Sequence, residues 1–141
     1  MEQRITEETR RELAQHGYQD PVLLGKGSFS QVYRVRDREG CFRACKISEV
    51  TGQWEQECRN SREIRHPMFP AYREHWTNGG KGYLIMEFWD GCDLGKMLDR
   101  RGRLLPGQAT RIALQITEGL QYLHERPHPF LYRDLKPENI R

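Results

Sequence analysis

The chain lacks any uninterrupted apolar stretch of membrane-spanning or signal-peptide length, and its first residues, Met1-Glu2-Gln3-Arg4-Ile5-Thr6-Glu7-Glu8, are charged. A secretory leader and a membrane segment are therefore not expected within this sequence. Cysteines are few. Cys41, Cys45, Cys58 and Cys92 show neither a Cys-x-x-Cys pair nor a Cys/His spacing suited to zinc, which excludes a zinc ribbon and a disulfide scaffold. They read as buried thiols in a reducing compartment, and cytoplasmic residence is the expectation. Neither sign of charge prevails: 23 Lys plus Arg stand against 20 Asp plus Glu, a net charge of +3 that implies no nucleic-acid partner. The basic run Arg100-Arg101-Gly102-Arg103 reads as a solvated helix end. Internal repeats, low-complexity tracts and Ser-rich linkers are absent as well.

What is present fits one ordinary domain with a core, since 141 residues are too few for two of comparable size. Residues 6–16 are polar and helix-permissive, with Ile5 and Leu13 as the large apolar anchors. From Tyr18 the pattern changes to short extended runs over 18–24, 31–36 and 42–47, separated by a glycine-rich turn and by Asp37-Arg38-Glu39-Gly40. A helix is predicted over 53–64, ended before His66-Pro67 because proline disfavours helical geometry in the residue preceding it. Strands follow over 71–77 and 82–88, joined through Asn78-Gly79-Gly80-Lys81. Beyond Asp90-Gly91 the pattern is helical, first over 93–101 and then over 106–125, with Pro106 in the first turn and Ala109, Ile112, Ala113, Ile116, Leu120 and Leu123 at helical spacing. Strands first and helices afterwards predict an α+β protein with segregated layers.

Several motifs carry chemistry. In Leu24-Gly25-Lys26-Gly27-Ser28-Phe29-Ser30-Gln31-Val32, Gly25 and Gly27 let backbone amides approach phosphate oxygens with no Cβ in the way, although a lone Gly-x-Gly between strands is usually only a turn. Lys46, in Ala44-Cys45-Lys46, shares a strand face with Ala44 and needs a partner or solvent. The next helix offers it Glu55 and Glu57, and because positions two apart on a helix point about 200° apart, only one of them can face the lysine. Tyr83 to Asp93 reads by itself as a buried strand followed by a turn. The final ten residues, Tyr132-Arg133-Asp134-Leu135-Lys136-Pro137-Glu138-Asn139-Ile140-Arg141, are the most specific string in the chain.

That string resembles the catalytic loop of protein kinases, and the motifs before it run in the order of that family: glycine loop, strand lysine, helix glutamate, hinge, catalytic loop. Over residues 18–141 the chain resembles eukaryotic-type serine/threonine protein kinases. The resemblance implies a complete five-stranded antiparallel N-lobe with one helix, followed by a partial helical C-lobe: residues 1–17 as a lead-in helix, 18–88 as the N-lobe with the hinge at its end, and 89–141 as the partial C-lobe. It further implies nucleotide contacts from Gly25, Lys26, Gly27, Ser28, Val32, Ala44 and Lys46, with Glu57 fitting the family spacing better than Glu55 as the partner of Lys46. Met86 takes the gatekeeper position, Glu87, Phe88 and Trp89 the hinge, and Asp93 the place of a ribose contact. Asp134 is implied as the base that takes the substrate hydroxyl proton, Lys136 as the cation on the transferring phosphoryl, and Asn139 as a magnesium ligand.

Three departures stand out. Ser30 replaces the third glycine, Cys45 an aliphatic residue and Tyr132 the usual histidine. Lys136 is the serine/threonine pattern. ATP and Mg2+ are the implied cofactors, and a protein Ser/Thr hydroxyl is the implied substrate of the full-length form. The sequence stops before the family's Asp-Phe-Gly motif, so the expectation is a catalytic domain truncated after its catalytic loop, which binds nucleotide weakly and does not phosphorylate protein, and which leaves Leu105 and Leu114 exposed. The alternative is a non-catalytic nucleotide-binding or docking module. Oligomeric state is not readable from the sequence.

Overall fold

The computed structural model describes residues 4–129 and 135–141. The chain divides into two units, Met1–Glu63 with Pro70–Phe88 and Ile64–Phe69 with Trp89–Arg141. The first contains helix α1 (Glu7–Gln15), strands β1 (Gln19–Lys26), β2 (Ser30–Arg36) and β3 (Phe42–Glu49), helix α2 (Gly52–Glu63), and strands β4 (Tyr72–Asn78) and β5 (Lys81–Glu87). These strands form one antiparallel sheet in the order β1-β2-β3-β5-β4. Each predicted element is present, with ends displaced by only one or two residues.

Local chemistry explains the element ends. Thr6 caps α1 by accepting from the Thr9 amide at 3.2 Å, and Glu7 and Glu8 place negative charge in the first turn. The Thr51 hydroxyl does the same for α2, accepting from the Trp54 amide at 3.3 Å. Between β4 and β5 the chain reverses in two residues, Gly79 at φ 57° and Gly80 at φ 80°, the conformation that a tight hairpin demands and that side chains resist. In the β2–β3 turn, Asp37 accepts from the amides of Glu39 and Cys41, each at 2.9 Å, and from Arg43 Nε at 3.1 Å. Burial pushes this carboxyl up, but the three hydrogen bonds outweigh it and the group titrates below its ordinary value.

Both faces of the sheet are covered. On one, Tyr33, Val35, Cys45, Ile47, Tyr83 and Ile85 pack with Tyr18 and with Leu13 of α1. On the other, Trp54 and Cys58 of α2 pack on Leu84, flanked by Tyr72 and Met86. Each fully buried large apolar side chain contributes roughly 1.5–3 kcal/mol through area removed from water. The lead-in helix is also held by a buried carboxylate: Glu12 accepts from Trp76 Nε1 at 3.0 Å and Asn78 Nδ2 at 2.6 Å, with His16 Nε2 at 3.2 Å. The His16 ring lies 3.8 Å over Trp76, which stacks in turn on Tyr83.

One expectation needs correction. Cys45 and Cys58 are buried, but Cys41 is exposed in the Asp37-bonded turn and Cys92 is only half-buried. Spacing did not show that Cys41 donates its amide to Asp37 while its side chain points away from either core. Burial pushes the Cys45 thiol up to about 12 and the Cys58 thiol up to about 11, so both stay protonated.

Among the described residues, the second unit contains α3 (Leu94–Arg101), α4 (Pro106–His124) and a 3-10 turn over Pro137–Asn139, which the sequence did not anticipate. Pro106 opens α4, where its missing N–H costs nothing, and Gln108 Oε1 accepts from the Leu105 amide at 3.3 Å. Gly119 and Leu123 are the buried residues of α4. Met68 lies against Gly119, His66 packs 4.7 Å from the Tyr122 ring, and the Tyr122 hydroxyl accepts from the Arg65 amide at 2.9 Å. Leu105 and Leu114 are 68% and 60% exposed, as expected, and the basic run 100–103 is solvated. Among the described residues no helix is long and apolar enough to cross a membrane.

Candidate functional site

Strand register brings together the candidate site residues of the first unit. Val32, Lys46 and Leu84 form one rung across β2, β3 and β5, and Arg34, Ala44 and Met86 form another two residues along. Directly opposed residues in an antiparallel ladder share a face, so Val32, Ala44, Lys46 and Met86 all lie on the face covered by α2. Lys46 Nζ donates to Glu57 Oε1 at 2.6 Å, a short charge-assisted bond. The two side chains are partly exposed, so the pair adds little stability; what it does is aim the amine.

Of the two candidate glutamates, Glu57 is the one that reaches the lysine. Trp54 and Cys58 are four residues apart, both buried, and fix which side of α2 faces the sheet; Glu57 lies on that side, whereas Glu55 is exposed. The spacing of Trp54 and Cys58 carried this signal in the sequence. Neither Trp54 nor Cys58 was among the expected site residues. Cys58 stays a neutral neighbour of the ion pair because burial, and secondarily the Glu57 charge, raise its thiol.

The glycine loop joins β1 to β2, with a register shift between Leu23 and Gly25. Gly27 N donates to Ser30 O at 2.8 Å and closes the turn around Ser28 and Phe29, just after Lys26 ends β1; the Phe29 side chain is 83% exposed. Neither Gly25 nor Gly27 has positive φ. A Cβ on Gly25 would meet no atom within 4 Å, and one on Gly27 would meet only Ser30, at 3.4 Å or more. The fold itself therefore does not require glycine at either place. Missing side chains that internal packing does not need leave bare backbone open to a ligand from outside.

At the end of β5, Glu87 is tied to the start of β4: its amide donates to Ala71 O at 2.8 Å and its Oε2 accepts from the Ala71 amide. Phe88 meets Phe42 edge-on at 6.0 Å between centroids. Trp89 begins the longer segment of the second unit.

Within that second unit, Asp93 is the N-cap of α3. Its Oδ1 accepts from the Lys96 amide at 2.8 Å, and its Oδ2 lies 3.9 Å from Lys96 Nζ. An aspartate just before an apolar-periodic run is the sequence signal for this role. The Leu94 amide donates to Ile140 O at 2.6 Å, and Arg141 donates to Gly91 O at 2.8 Å. These bonds bring Asp93 and Asn139 to one corner of the unit. Lys136 precedes the 3-10 turn and its carbonyl accepts from the Asn139 amide at 2.9 Å. Asp134, together with Tyr132 and Arg133, lies outside the described residues.

Among the described residues, one cluster of metal-ligating types stands apart from these sites. Asp37, Glu39 and Cys41 bring ligand atoms within 4.8 Å of one another, but the Asp37 oxygens already hold Arg43 and two amides. The arrangement around Lys46 offers different chemistry: a fixed amine, an apolar face suited to a flat ring, and bare loop amides suited to a polyanion.

Comparison with known proteins places the chain in a class. Residues 18–140 match the family described as Protein kinase domain, and the chain belongs to that family. It is similar to the serine/threonine-protein kinase Nek4 of Mus musculus, 33% identical over 129 residues, covering 84% of this chain and 16% of that protein. It is also similar to the serine/threonine-protein kinase VIK of Arabidopsis thaliana, 29% identical over 136 residues (92% of this chain, 31% of that protein). A third relative is the serine/threonine-protein kinase tousled-like 2 of Xenopus tropicalis, 31% identical over 132 residues (84% and 19%). The chain thus spans less than a third of the length of each of these curated relatives.

Proposed function

We propose that this chain carries the nucleotide-binding part of a protein serine/threonine kinase, whose full-length form transfers the γ-phosphoryl of ATP to a Ser or Thr hydroxyl of a protein. The observation that carries the reading is the Lys46–Glu57 bond at 2.6 Å, on the same sheet face as Val32, Ala44 and Met86. Lys46 holds the α- and β-phosphates, the amides of the 25–28 loop cover them, and Ala44 and Met86 border the adenine. Glu87 to Trp89 read the base edge through their backbone.

Asp134 orients the substrate hydroxyl and receives its proton, and Lys136 offsets charge on the moving phosphoryl. Asn139, with its amide oxygen, suits a hard divalent cation, and Mg2+ bound there would supply charge neutralisation. Asp93 serves the ribose with whatever acceptor capacity its capping bond leaves. The four cysteines, all free thiols, suit a reducing compartment, and cytoplasmic residence belongs to the same proposal.

The test is calorimetric titration of the chain with a non-hydrolysable ATP analogue and Mg2+. Lys46→Ala is expected to weaken binding at least about tenfold, the equivalent of roughly 1.4 kcal/mol. Equal affinity in the two proteins would overturn the reading. The 141 residues contain no Asp-Phe-Gly, which favours a second reading for these residues by themselves: nucleotide binding without transfer. Radiolabelled γ-phosphate appearing on a protein acceptor would exclude that second reading.

A further inference from the structure

We propose that Trp54 and Gly82 form a seat that sets how far Glu57 stands from Lys46, which makes both of them positioning residues for the amine. The role of that amine rests on the proposed function; the seat is a property of the fold and is tested without nucleotide. Gly82 pairs with Ser48 across β3 and β5, two residues along from the rung of Lys46 and Leu84, and so lies on the same face. It is buried in an interior strand, where glycine costs strand stability and contributes no packing. Its φ is not positive, so backbone conformation does not explain the residue. Space does: a Cβ built there would overlap the indole ring of Trp54.

Trp54 fills that space and is 6% exposed. Besides its packing on Leu84, it is held by the Thr51 cap on its amide, the edge-on ring of His75 at 5.7 Å, and the bare backbone of Gly82. Glu57 lies three residues further along α2, a rise of about 4.5 Å, and successive same-face positions on a strand are about 6.7 Å apart. With the indole resting over the Gly82 rung, the glutamate therefore comes down over the neighbouring lysine rung. Cys58, one turn on from Trp54, rests on Leu84 of that same rung. The height of the first turn of α2 above the sheet is thus set by an absent side chain. Lifting that turn by one methyl group stretches the Lys46–Glu57 bond beyond hydrogen-bonding distance.

The test is Gly82→Ala in the 141-residue chain, read by amine acylation and mass spectrometry at each lysine, with circular dichroism as the control for folding. Lys46 is expected to react at least about fivefold faster, while Lys81, Lys96 and Lys136 keep their rates. Adding Trp54→Leu to Gly82→Ala makes room for the methyl and is expected to return Lys46 to within about twofold of its original rate. Unchanged reactivity of Lys46 in Gly82→Ala overturns the proposal, as does equal acceleration at all lysines, which marks a general loss of structure. Should Gly82→Ala fail to fold, the double variant decides: recovered folding with a slow Lys46 supports the seat, and continued unfolding overturns it. Affinity for the ATP analogue is measured separately, so a seat that operates in a protein that binds no nucleotide would sink the proposed function and leave the seat standing.

Discussion

The two units hold their functional residues by different means. In the first, Lys46, Ala44, Val32 and Met86 sit in ladder positions of a sheet that carries a core cluster on each face, so each side chain's direction is set by register and by the packing that holds the sheet. In the second, Asp93, Lys136 and Asn139 are held by a helix cap, a 3-10 turn, one backbone bond from Leu94 to Ile140 and one bond from the Arg141 side chain to the Gly91 carbonyl, with only Gly119 and Leu123 buried along nineteen residues of α4. Register is cooperative and hard to distort locally. Caps and turns are single contacts, and each can be lost without the others.

The contrast can be broken by substitution. Ile85→Ala removes a side chain with no exposure from the interior strand, and is expected to cost about 2–5 kcal/mol of stability, read from denaturant midpoints. A loss below about 1 kcal/mol would mean that this core is not holding the sheet. Next in size is the response to alkali. The folded thiols of Cys45 and Cys58 keep their protons to about 12 and about 11, against an ordinary 9.0, so the stability they contribute is complete below pH 9 and is lost as pH climbs through the raised values. Thermal midpoints should therefore fall from about pH 9 upward. Replacing both cysteines by alanine should move the onset to about pH 10, where Tyr18, raised from 10.0 to about 12 by burial and by its bond to Glu74, takes over.

Smaller effects belong to the second unit. Asp93→Ala removes the α3 cap and should cost about 1 kcal/mol. Asp93→Asn, which can still accept from the Lys96 amide, should recover most of it. Leu114→Ala, at a largely exposed position, should stay within about 0.5 kcal/mol of the parent. A cost as large as that of Ile85→Ala would show that α4 is covered by something the chain itself does not present.

Much of the fold was legible because hydrophobic period and turn chemistry agree along the chain. Asn78-Gly79-Gly80-Lys81 announced its hairpin, and Cys45 and Ile47 face the core opposite Ala44 and Lys46 as alternation required. The site was legible as a set of motifs. The choice between Glu55 and Glu57 turns on the phase of α2, which the burial of Trp54 and Cys58 fixes. Other features were beyond reach in principle. Glu12 bonds to Trp76 and Asn78, more than sixty residues away, and no local period encodes a polar contact of that span. The exposure of Cys41 and the overlap of residue 82 with an indole likewise depend on tertiary placement.

The match to the kinase family begins at Tyr18, yet Leu13 is completely buried in the core that Tyr18, Tyr33, Val35 and Ile85 share. A recombinant version trimmed to the family boundary would lose α1 and uncover an oily sheet surface, with Trp76 stripped of both its stacked imidazole and its carboxylate acceptor. Aggregation of such a shortened product would reflect where the cut was made and would say nothing about the quality of the kinase fold.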